Sequence, residues 1–174
     1  MAFWFMQDGA LQRAAHPPTG LKPLIGNGHL LLPPLIGTLH YSFQAWEQAG
    51  LSPGPLAPDR VWVDARGGLA FHFTDQTHPQ PLLHIGVAPD LAAWLVLLDK
   101  WMETFVVVAR ARTVWGVPTL GGALSFLTPA FLPQALLHQP PDNWERVAVA
   151  LAQAVADGTL RGASQERHWQ ERLA

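Results

Sequence analysis

The chain contains no cysteine. That removes disulfides, thiolate zinc sites, iron–sulfur clusters and cysteine nucleophiles together, and it leaves the redox compartment open. Charge is scarce as well: Asp, Glu, Lys and Arg make up 14% of the residues, where about a quarter is usual. The net charge is −2, with no basic patch, which argues against a nucleic-acid binder that neutralises phosphates. No polybasic run marks an anionic membrane surface. An uninterrupted apolar span is missing too. The longest apolar stretch, Leu91–Ala109, is broken by Asp99, Lys100 and Glu103, and a membrane helix rarely carries such charges at its centre. The opening MAFWFMQDGALQ is apolar but short, lacks a basic region and soon meets Asp8 and Arg13, so it does not read as a signal peptide. The expected location is the cytoplasm.

What is present is apolar bulk. Hydrophobic residues make up 49% of a 174-residue chain, with eight Trp among them. That length supports one domain with a sizeable core. The expectation is therefore a single domain over 1–174, with 162–174 as a peripheral tail helix. A chain this apolar must bury its surface in a core or against a partner, and Trp is enriched in both settings.

Turn chemistry and periodicity divide the chain. AFWFMQ, Asp8-Gly9 and ALQRAA predict a hairpin with a primed turn. Pro33-Pro34 opens a helix to about Ala49, with Leu35, Ile36, Leu39, Phe43 and Trp46 as its buried stripe and Gly50 as its stop. Leu51–Pro58 is a Pro-rich loop. Arg60–Asp64 and Leu69–Phe73 flank Ala65-Arg66-Gly67-Gly68 as a second hairpin. Leu91–Ala109 reads as one central buried helix, its face made by Leu91, Trp94, Leu98, Trp101, Phe105 and Val108. Arg110–Gly122 reads as a connector, followed by short helical pieces at Ala123–Leu127 and Pro129–His138. Asn143–Asp157 is a further helix, with Asp142 and Glu145 as its capping box and Gly158 as its end. Ser164–Leu173 reads as a short separate tail helix. The fold class expected is α+β: short antiparallel strands in an N-terminal and a central hairpin, packed with about four or five helices.

The segment GPLAPDRVWVDARGGLAFHF, Gly54–Phe73, resembles a protein-kinase catalytic loop followed by its two strands. The order of elements over Leu30–Phe105 is similar to the carboxy-terminal lobe of that family. The family's catalytic residues are absent. The catalytic base position falls on Pro55, the loop lysine on Ala57, the magnesium-binding Asn on Arg60, and the metal-binding Asp on His72, followed by Phe73 and Thr74. Phosphoryl transfer needs positioned metal ions, and none of these residues supplies a ligand in the required place. The resemblance thus implies a pseudokinase-like module without kinase activity.

Other chemistry is sparse. His72, His78 and His84 recur at six-residue spacing around Asp75 and are weak metal candidates, in a segment with loop composition where solvated histidines are the plainer reading. Asp99 and Glu103 on one side of the helix could serve as an acid pair, with Trp101 beside them in a Trp-lined pocket. The plainer reading is a wet stripe on an amphipathic helix. No nucleophile elbow or dinucleotide fingerprint is present. Phe3, Trp4 and Phe5 stand out, because an edge hairpin seldom covers both its faces and an exposed aromatic edge invites strand pairing. The functional expectation is a non-catalytic interaction or assembly module that self-associates or binds a protein partner, using Phe3, Trp4 and Phe5 and no cofactor. The alternative is a small-molecule-binding protein or enzyme with a Trp-lined pocket, built on Asp99, Glu103 and Trp101 or on the His72–His84 loop.

Overall fold

A computed structural model describes residues 2–25, 34–49, 57–73, 87–137 and 143–173, with side chains described for all of these but 34, 73 and 159–173. Strands β1 (Ala2–Gln7) and β2 (Ala10–Ala14) form the predicted N-terminal hairpin. Its turn holds Asp8 at φ 51° and Gly9 at φ 77°, the left-handed pair that a type I′ turn requires and that Asp-Gly adopts cheaply. A two-residue strand, β3 (Lys22–Pro23), pairs with β4 (Val61–Val63), and β4 pairs with β5 (Leu69–Phe73) as the central hairpin. The two hairpins join through β1 and β5, with Trp4 opposite Phe71 and Phe3 opposite His72. The result is one antiparallel sheet in the order β2-β1-β5-β4-β3.

Alternation along the strands separates two faces. Val61, Val63, Leu69 and Phe71 are buried in the main core, with Trp4 packed against it. Phe3, Leu21 and Ala70 form a second, smaller cluster joined by Phe5 and Trp62. Helix α1 (Pro34–Gln48) lies on the main-core face, and its predicted stripe of Leu35, Ile36, Leu39, Phe43 and Trp46 is buried throughout. Phe71 receives Trp46 and Trp94 edge-on, at centroid distances of 5.9 and 5.6 Å. Such edge-to-face pairs add about 0.5–1.5 kcal/mol each beyond the area they bury.

Helix α2 (Val87–Leu98) is buried on every side from Leu91 to Leu98, the signature of a helix surrounded by its own domain. It then stops. Lys100 and Trp101 donate their amides to the Leu97 and Leu98 carbonyls, the tighter i→i+3 bonding that closes a helix end. Helix α3 (Thr104–Leu124) begins afresh after this turn. The single helix expected over Leu91–Ala109 is therefore two. The expected connector at Arg110–Gly122 is helical, interrupted at Gly116, which sits at φ 75° and ψ 168° just before Pro118. Gly116 leaves helical geometry altogether, and beyond it Val117 lies against Gly158 and Gly121 against Val155, so the second piece of α3 turns back along the chain's last helix.

Two more helices follow, α4 (Gln134–Leu137) and α5 (Trp144–Leu173). Helix α5 runs through Gly158, where a stop was expected, and the segment Ser164–Leu173 is part of it. The glycine has a packing reason: a Cβ there would collide with Val117 of α3. No helix among the described residues is long and apolar enough to cross a membrane.

Candidate functional site

The break between α2 and α3 decides what the acidic residues can do. Asp99 leaves the end of α2 with its side chain wholly buried. Asn143, just before α5, donates to it at 2.8 Å and to the Val96 carbonyl at 3.0 Å. Thr104, the first residue of α3, donates its hydroxyl to the other carboxylate oxygen. Arg146 completes the set at 2.5 Å, with 56% of its own side chain still in solvent. A buried carboxylate with this many donors is a satisfied structural anion. It fastens the end of α2 to the starts of α3 and α5.

Glu103 does not share that environment. It is exposed, and it precedes α3 without a side-chain capping bond. Trp101 is 37% exposed in the same turn. The structure thus does not bring Asp99, Glu103 and Trp101 together as an acid pair in an aromatic pocket. Trp94 fills the core, Trp115 and Trp144 pack at its margin, and no side chain is described for Trp169.

The aromatic N-terminus is also placed differently from its expectation. β1 has β2 on one side and β5 on the other, so its backbone is already paired and β2 is the edge. Trp4 packs on Trp46 at 5.6 Å, with the Arg13 guanidinium 6.0 Å from its ring. Phe3 is 6% exposed, stacked on His72 at 4.5 Å and edge-on to Trp62 at 5.2 Å. Phe5 is half-buried beside them. These side chains build the sheet's two faces.

His72 is held in that stack, while His78, His84 and Asp75 lie outside the described residues. Among the described residues no three His, Asp or Glu side chains gather where they could hold a metal ion. Of the kinase-like positions, Arg60 ends a 3-10 turn over Pro58–Arg60, and Pro55 lies outside the described residues.

A surface that sequence reasoning missed lies between α3 and α5. Up to the break at Gly116, α3 runs beside α5 in the same direction, so Thr104 and Phe105 line the groove with Glu145 and Arg146, and Arg112 with Asp157. Two clefts of about 560 and 440 Å³ share Phe105, Ala150 and Gln153 and so merge into one groove. From Glu145 to Asp157 it extends about 18 Å along α5. Its floor is small, with Ala109, Ala150 and Ala154. Phe105 is 68% exposed and Val149 is 60% exposed along it. The turn at 99–103 turned Phe105 outward. The expected stripe carried its phase unbroken from Leu91 to Val108, and the signal of the break was the cluster Asp99, Lys100, Glu103 itself.

No family model matches the chain, and neither does any curated protein or solved structure.

Proposed function

We propose that the chain is a non-catalytic protein-interaction module whose working surface is the α3–α5 groove. The observation that carries this reading is the exposure of Phe105 and Val149 along a floor of alanines. A large aromatic held in solvent beside small residues is the pattern of a groove that accepts an apolar helix face. The chemistry of the titratable groups agrees: the buried acid, Asp99, is committed to holding three helix ends, which leaves the rival reading of an acid pair in a pocket without its central residue.

A photo-crosslinking side chain at position 105 tests it. The expected result is one saturable adduct with a defined protein, competed away by excess unmodified chain, and none from the same side chain at Gln12 on β2. An absence of competed adducts at position 105 would overturn the reading.

A further inference from the structure

The groove carries its own complement, and we infer that its occupant is a second copy of this chain, seated antiparallel across a two-fold axis. This rests on the reading of the groove as a protein-binding surface. The argument comes from the order of side chains along it. Arg146 stands at one end and Asp157 at the other, with Ala150 and Gln153 between them. On the neighbouring helix Phe105 precedes Ala109 by one turn. A two-fold axis in the plane of the contact, at right angles to both helices and passing near Ala150 and Gln153, reverses that order in the facing copy.

Arg146 then meets Asp157 of the second copy, and Ala150 meets Gln153. Phe105 meets Ala109, a large side chain over a small one. By symmetry each pairing is made twice, which is how an isologous interface becomes self-complementary. Both charges are available for it. Arg146 keeps more than half its side chain in solvent while it holds Asp99, and Asp157 is exposed and makes no ion pair among the described residues. Small residues at Ala109, Ala150 and Ala154 let the helices approach closely, so that α3 and α5 of one copy stack as a pair on α3 and α5 of the other. A foreign helix would need the same alternation of sign and size, which this chain already presents to itself.

Sedimentation and disulfide trapping test the inference together. The intact chain should sediment as a dimer, and Phe105→Glu should weaken association by about tenfold or more, since an exposed aromatic anchor is lost. Asp157→Arg should weaken it as well and keeps the test open if Phe105→Glu folds poorly. The sequence has no cysteine, so Gln153→Cys gives a single thiol near the two-fold axis. It should form an intermolecular disulfide under mild oxidation, while Gln12→Cys on the sheet edge should not. A monomer up to about 1 mM, where even weak specific contacts are half-formed, would overturn the second copy as occupant. So would a dimer indifferent to Phe105→Glu and Asp157→Arg, or trapping through Gln12→Cys in place of Gln153→Cys. A monomer that still yields a competed adduct at position 105 would remove the second copy and leave the groove's interaction role standing.

Discussion

Asn143 donates to the carboxylate of Asp99 at 2.8 Å across a separation of 44 residues. This bond, with those of Thr104 and Arg146, places the starts of α3 and α5 side by side and so fixes the mouth of the groove. A buried acid invites a catalytic reading, but here its partners are helix ends.

The members of this cluster should differ in their cost. Asp99→Ala takes one of two acceptors from the buried Asn143 amide and the acceptor of Thr104 and Arg146, and is expected to destabilise the fold by about 2–4 kcal/mol. Asn143→Ala should cost about 1–3 kcal/mol. Arg146→Ala should cost about 1–3 kcal/mol, because it leaves the wholly buried Asp99 carboxylate with only its Asn143 and Thr104 donors. Urea unfolding of the three variants gives the order directly, and an Asp99→Ala variant as stable as the parent would remove the cluster's structural role.

The turn at 99–103 separates two leucine-and-phenylalanine positions that a continuous helix would treat alike. Leu98 is buried, and its truncation to Ala should cost about 2–5 kcal/mol. In dilute solution, where both chains unfold as monomers, Phe105→Ser is expected within about 0.5 kcal/mol of the parent, as for most exposed sites. Equal losses at the two positions would mean that the helix continues unbroken and that Phe105 is core.

Gly116 should resist replacement for a backbone reason. Its φ of 75° and ψ of 168° lie in a region that is essentially glycine's own, so Gly116→Ala should cost about 1–3 kcal/mol. An added Cβ would meet nothing closer than the Pro118 ring at 3.8 Å, so enlarging the space around it should not restore stability. A thermal shift recovered by trimming a neighbour would refute a purely conformational cost.

Gly158 is the contrasting case. An added methyl would strike Val117, so Gly158→Ala should cost about 1–3 kcal/mol through overpacking. The double variant with Val117→Ala should recover part of that loss, a coupling expected of residues in direct contact. A strictly additive cycle would show that α3 and α5 do not meet there.

Much of the fold was legible because local signals agreed with the final packing. Asp8-Gly9 gave the first hairpin, Gly67-Gly68 marked the second, and the spacing of Leu35, Leu39, Phe43 and Trp46 gave α1 and its buried face. The misreadings share one cause: tertiary contacts overrode local signals. Arg110–Gly122 looked like a connector, yet it is helical on both sides of a break at Gly116. Gly158 looked like a stop and is a contact point. The apolar rhythm of Leu91–Val108 gave no sign that Asp99 would turn inward to Asn143, a residue far along the chain, and end one helix there. Because Phe105 inherits its orientation from that break, the groove could not be read from periodicity. The expected edge strand failed for a related reason: alternation gives a strand's faces but not its neighbours.

The position of β1 between β2 and β5 also has a consequence for biosynthesis. β1 and β2 can close their hairpin as soon as both have left the ribosome, but the pairing of Ala2 with Phe73 must wait for the whole intervening segment. At about 5–20 residues per second, the open side of β1, with Phe3, Trp4 and Phe5, stands unpaired for several seconds of translation. During that interval the nascent chain offers the bare aromatic edge that the finished protein conceals, and that is where chaperones or a neighbouring nascent copy would meet it.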